Sequence, residues 1–129
     1  MIVLDASVVL EVLLQTSAAR RVEQRIFASH EILCAPHLID VESAQVLRRY
    51  VLSGAISADR GAAAIQDLAD LPLSRYPHEV LLPRIWQLRH NLTAYDAAYV
   101  ALAEALDVPL LTRDKALASA SSSARVEVL

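Results

Sequence analysis

The stretch LTAYDAAYVALAEALDVPLLTRDKAL, residues 92–117, carries three local signals in a row. Residues 93–106 are apolar on almost every side and read as one helix. VPLLT, residues 108–112, is a short unbroken apolar run, the pattern of a buried strand. Asp114 then stands where a short helix over 114–119 would open. Helices alternating with apolar strands indicate a parallel sheet covered on both faces. One residue resists that simple reading. Asp96 lies among Tyr99, Val100 and Ala103 on the helix, and burying an unpaired carboxylate is costly.

The alternation continues outward from this stretch. MIVLD at 1–5, EILCA at 31–35 and RVEVL at 125–129 read as further strands, with LPLSR at 71–75 a weaker fifth. Residues 7–14 and 17–28 form one or two helices. PHLIDVESAQVLRRYVLSG, residues 36–54, has Pro36 near its start and Gly54 just past its end, as helices prefer. Residues 57–70 form another helix opening at Ser57. PHEVLLPRIWQLRH, residues 77–90, is expected to be kinked or divided at Pro83. No internal repeat or linker interrupts the pattern, and SASSSA at 119–124 reads as a loop. The expected fold is α/β, a mostly parallel sheet of 4–5 strands with helices on both faces, in a single domain over residues 1–129.

Composition narrows the classes. With 55% apolar residues the chain can bury a core. It has no apolar run of membrane-spanning length, so no membrane association is expected. MIVLDASVVLEVLL lacks a basic leader and is interrupted by Asp5 and Glu11, so no signal peptide is expected. Cys34 is the only cysteine, which points to a reducing, cytoplasmic setting. A net charge of −3 does not advertise a nucleic-acid binder, but local placement matters more than the total.

Four acids stand at telling places. Asp5 closes the first strand, where sheets of this kind bind ligands, although it could equally cap the following helix; Ser7 could do that capping alone. Glu42 falls between Leu38, Ile39 and Val46 on a helical wheel, near the centre of an apolar arc. There it needs an Arg, a proton or a metal as partner. Thr93 and Asp96 have the spacing of a capping box, which does not explain the apolar face around Asp96. Asp114 follows a strand and could cap the next helix. All four lie at one edge of a parallel sheet, because strand ends and helix starts share that edge. Two unit charges at ~4 Å repel by about 4 kcal/mol at an effective dielectric of ~20. Four acids converging there require protons or divalent cations. Hard oxygen ligands suit Mg²⁺ or Mn²⁺, and such sites activate water and stabilise charge developing on a phosphodiester.

In IVLDAS at 2–7, APHLIDVESAQVLRR at 35–49 and residues 92–117, the chain resembles the PIN-domain family, most closely its VapC-like toxin branch. The order and spacing of the three blocks fit as well, so the resemblance spans nearly the whole chain. It implies a doubly wound fold and a Mg²⁺- or Mn²⁺-dependent endoribonuclease. It implies that Asp5, Glu42, Asp96 and Asp114 form the catalytic acidic metal site, with Ser7 and Thr112 as supporting hydroxyls. It also implies a homodimer silenced by a cognate antitoxin, and a structured RNA substrate. Two departures stand out. Gln45 replaces the Asn that many relatives carry three residues after the helical Glu. Lys115, Ala116 and Leu117 stand where some relatives have a further acid or Asn, which leaves a second metal ion less well supported.

Arg113 and Lys115 flank Asp114 and are the candidate phosphate contacts, ahead of Arg48 and Arg49. Arg20, Arg21 and Arg25 read as solvated charge. His30, His37, His78 and His90 show no metal-binding spacing. Cys34 reads as buried filler, and Tyr95, Tyr99 and Trp86 as core or dimer contacts. The alternatives are a catalytically silent partner-binding module and a phospho-receiver domain. The latter would need an acid after EILCA, where Ala35 and Pro36 stand. A phosphatase with an Asp nucleophile would need a second acid where Asp5-Ala6-Ser7 has none.

Overall fold

Five parallel strands lie in the order β3-β2-β1-β4-β5 in the computed structural model. The structure describes residues 1–28, 30–120 and 123–129. β1 (Ile2–Leu4) pairs with β2 (Leu33–Pro36) on one side and β4 (Leu110–Thr112) on the other. β3 (Leu73–Tyr76) and β5 (Val126–Val128) form the two edges. The chain therefore winds outward from β1 to β3, then crosses back and winds outward again from β4 to β5. The strand order reverses between β1 and β4, which opens a crevice at their carboxyl ends. The sheet is parallel throughout rather than mostly so.

The helices are α1 (Ala6–Leu14), α2 (Ala19–Phe27), α3 (Leu38–Ser53), α4 (Ala58–Asp70), α5 (Leu82–Gln87), α6 (Ala94–Leu106) and α7 (Lys115–Ala120). Residues 7–28 thus hold two helices, separated where Gln15 turns left-handed at φ 50° and donates its amide to Glu11 and Val12. Gly54 closes α3 at φ 81°, a conformation that glycine adopts without Cβ strain. Pro36 ends β2 instead of starting α3. Pro83 divides residues 77–90 into a 3₁₀ turn (Glu79–Leu81) and α5, where it takes a first-turn position, the one part of a helix that tolerates proline. β3 begins after Pro72, which cannot donate to a ladder. Ser119 and Ala120 continue α7 where a loop was expected; Ser121 and Ser122 of that stretch lie outside the described residues.

Ile2, Val3 and Leu4 are fully buried, as a central strand covered on both faces requires. α6 lies against β1, and its residues Ala97 to Ala103 are all buried. The alanines at 97, 98, 101 and 103 let the helix approach the strands closely. No helix among the described residues is long and apolar enough to cross a membrane.

Candidate active site

Asp5 leaves β1 at the switch point and does cap α1, since its Oδ1 accepts the Val8 amide at 3.2 Å. It also does more. Ser7 Oγ donates to Oδ1 at 2.5 Å, and Thr112 Oγ1, at the end of β4, donates to Oδ2. Asp5 is only 8% exposed, and these three donors hold both its oxygens. The two hydroxyls are themselves anchored. Ser7 Oγ accepts the Arg113 amide at 2.9 Å, and Thr112 Oγ1 accepts the Asp114 amide at 3.0 Å. The start of α1 is thereby tied to the turn after β4.

Glu42 reaches the same edge from α3, half-buried, and its Oε2 accepts the Tyr99 hydroxyl at 3.4 Å. Asp96 sits in the first turn of α6. Thr93 caps that helix by accepting the Asp96 backbone amide at 3.1 Å, so this bond uses the main chain of Asp96. Asp114 accepts the Ala116 amide at 2.9 Å and is exposed.

Electrostatics links the four acids. Burial lifts the Asp5 carboxyl above its usual range; Ser7, Thr112 and Val8 pull it partly back, and Asp96 pushes it up again. Glu42 is raised by burial first, then by Asp96 and Asp5, against the Tyr99 hydrogen bond. Asp96 is raised by burial and then by Asp114, with Thr93 opposing. Tyr99 is pushed far upward by burial and by Glu42, Asp5 and Asp96, so it stays a donor. The ion pairs between described residues include none of the four acids. An uncompensated negative field thus stands at the switch point.

That field suits a divalent cation, but the acids do not form a closed cage. Among the described residues, no three His, Cys, Asp or Glu side chains stand close enough together to grip one ion by themselves. A Mg²⁺-like ion keeps several of its waters and uses one or two carboxylates. The spread, hard-oxygen donor set fits such a hydrated ion, and it does not fit a site built wholly of protein ligands.

The expected phosphate contacts part company here. The Arg113 guanidinium donates to the Leu129 carbonyl at 2.7 Å and lies 3.7 Å from Glu11, so it is already engaged. Lys115 is exposed, with no ion pair among the described residues. Beside the acids, a groove of about 530 Å³ runs between α3 and α6, lined in part by Glu42, Gln45, Arg49, Tyr95 and Asp96. Tyr95 is 64% exposed there, and Trp86 is 68% exposed with Arg89 stacked 4.8 Å over its ring. Neither belongs to the core. Tyr99 does, at 1% exposure, but its hydroxyl also serves the site, a role that sequence reasoning missed. The signal was there: Tyr99 follows Asp96 by three residues and shares its helix face. His78 serves local structure, its Nε2 accepting the Leu38 amide at 2.8 Å.

The PIN domain family profile matches residues 2–122. The chain is 49% identical over 119 residues to Ribonuclease VapC1 of Mycobacterium tuberculosis, covering 92% of this chain and 89% of that one. Its fold is similar to that of VapBC2 from Rickettsia felis, solved bound to a promoter DNA fragment, with a TM-score of 0.74 at 11% identity over 100% of this chain and 99% of that chain. A toxin–antitoxin complex from Klebsiella pneumoniae is also similar, with a TM-score of 0.66 at 16% identity, covering 88% of this chain and 87% of that chain. With the sheet order, the acids at its switch point and this sequence identity together, the chain belongs to the PIN-domain family, in its VapC branch.

Proposed function

We infer that the chain is an endoribonuclease, the toxin of a toxin–antitoxin pair, that hydrolyses RNA phosphodiester bonds with the help of Mg²⁺ or Mn²⁺. The observation that carries this reading is the group of acids at the switch point, Asp5, Glu42 and Asp96 repelling one another and Asp114 repelling Asp96, none of them in an ion pair among the described residues. The 49% identity to a ribonuclease supports the reaction class. The toxin role rests on the same kinship and on a fold shared with a toxin–antitoxin complex. A cognate antitoxin, a homodimer, a cytoplasmic setting and a single domain over residues 1–129 belong to the same proposal.

The mechanism assigns each residue a task. Asp5, Glu42, Asp96 and Asp114 would hold the cation, directly or through water. A divalent cation there supplies charge neutralisation and makes a water more acidic next to the scissile phosphate. Asp5 cannot rotate, because Ser7, Thr112 and the Val8 amide hold both oxygens; the residue gives the site a fixed reference. Tyr99 orients Glu42 through its hydroxyl. Glu42 and Asp96, which share the wall of the groove beside Asp5, are placed to orient the attacking water and take up its proton.

The test is cleavage of a mixed small-RNA pool by the purified chain in Mg²⁺, in Mn²⁺ and in EDTA, beside an Asp96→Asn variant checked for folding. Metal-dependent cleavage that the variant loses is the expected result. Equal cleavage by both forms, or activity that persists in EDTA, would overturn the assignment. A chain that binds RNA without cutting it would be the catalytically silent module instead.

A further inference from the structure

We propose that the groove between α3 and α6 is the subsite for single-stranded RNA beside the acidic cluster, in which Tyr95 stacks on a nucleobase and Arg49 contacts a flanking phosphate. The proposal rests on the endoribonuclease reading and goes beyond it to the form of substrate and the residues that select it.

Three observations lead there. The groove is continuous with the acids, because Glu42 and Asp96 themselves form part of its wall. Its volume of about 530 Å³ lies within the range of small-ligand sites, about 300–1,000 Å³, which leaves room for a nucleotide beside the reacting phosphate. A large aromatic ring stands in it, 64% exposed and adjacent in sequence to Asp96. An exposed tyrosine beside hydrolytic carboxylates offers a face to any unpaired base, and such stacking tolerates every base type.

Charge supplies the complement. An acidic crevice repels the phosphate backbone, so a strand needs a cation along its path. Arg49 lines the groove and makes no ion pair among the described residues. It lies two turns beyond Glu42 on α3, about 10 Å along the axis at ~1.5 Å per residue. A strand held at the acids and running along α3 would pass it. Gln45 lies between the two and presents an amide able to meet a base edge. Stacking requires a base free of its duplex partner, so the groove selects loops or single strands over helical RNA.

The experiment measures binding apart from cleavage. Fluorescence anisotropy with the full chain in EDTA would use a labelled 12-nucleotide RNA of randomised sequence and a duplex of equal length. Tyr95→Ala is expected to weaken single-strand binding about tenfold, the loss of one stack, while Tyr95→Phe retains it. Arg49→Gln is expected to flatten the slope of log affinity against log salt by about 0.7. Cleavage in Mg²⁺ should show a raised KM for Tyr95→Ala with kcat little changed. If Tyr95→Ala binds and cuts like the parent while Asp96→Asn cuts nothing, the subsite falls and the nuclease stands. If Tyr95→Ala splits a dimer in sedimentation without changing RNA affinity, the groove is a contact between copies and the proposal falls. If the parent chain neither binds nor cuts RNA, both readings fall together.

Discussion

Thr112 Oγ1 donates a hydrogen bond to Asp5 Oδ2 from 107 residues away in sequence. The bond joins the two strands that flank the switch point, and the same hydroxyl oxygen accepts the Asp114 amide at 3.0 Å. One fully buried side chain therefore sets the position of two of the four acids.

Thr112→Val keeps the shape and removes the hydroxyl. Asp5, 8% exposed, loses one of its donors, and the Asp114 amide loses its acceptor. A buried polar group left unpaired costs about 1–3 kcal/mol. Urea unfolding should show a loss of that size, and RNA cleavage should fall by more than the unfolded fraction explains. Unchanged stability would mean that water replaces the hydroxyl.

The pH dependence follows from the raised acids. Asp5 and Asp96 are lifted above 3.8, and Glu42 above 4.5, mainly by burial. A raised carboxyl binds protons more readily in the folded state than in the unfolded one. Its contribution to stability is complete below the unfolded value and is lost as pH rises through the folded one. The metal-free chain should therefore gain stability as pH falls from neutrality towards the range just above the usual carboxylate values. Asp96→Asn should flatten that rise and raise Tm at neutral pH. Thermal melts across pH in EDTA measure both.

A divalent cation should act on the same acids from the other side. At a free concentration a hundred times its dissociation constant, a ligand of the folded state adds about 2.7 kcal/mol. Mg²⁺ or Mn²⁺ should therefore raise Tm at neutral pH, and less so in Asp96→Asn or Glu42→Gln. An equal shift in both variants would place the ion elsewhere.

Arg113 and Lys115 should separate cleanly. Arg113→Gln loses contacts with the Leu129 carbonyl and Glu11 and should lower stability. Lys115→Gln touches no ion pair among the described residues. If Lys115 meets RNA, its loss should reduce the salt slope of binding by about 0.7 with Tm unchanged. Anisotropy and melting on the two variants distinguish the roles.

Gly61 lies in α4 where a Cβ would come within 2.6 Å of Val51 Cγ2 on α3. Alanine gains about 1 kcal/mol of helix propensity, whereas forcing a methyl into a packed contact costs about 1–3 kcal/mol. Valine is stiff at χ1, so the cost should win and Gly61→Ala should lower Tm. Cleavage per folded molecule should not change, because the site lies at the sheet edge and not in the α3–α4 contact.

Much of this protein is written locally in its sequence. The runs at 2–4, 33–36 and 110–112, mostly apolar, are strands buried along their whole length, as a parallel sheet covered on both faces requires. Helix ends such as Ser57 and Gly54 announce themselves through cap chemistry. Asp5, Glu42, Asp96 and Asp114 could be chosen because strand ends and helix starts share one edge of any parallel sheet. What only the tertiary structure decided is pairing at a distance. No local pattern tells β1 to lie between β2 and β4, yet that order alone brings Thr112 to Asp5 and creates the crevice. Direction was equally non-local. Tyr95 and Tyr99 stand one helical turn apart, but the sheet beneath α6 buries the second and leaves the first in the groove. Arg113 reads in sequence as a phosphate contact, but its guanidinium is held by Glu11 of α1 and by the Leu129 carbonyl. Periodicity reports which faces must be covered; which neighbour covers them depends on contacts made after the chain has crossed over itself.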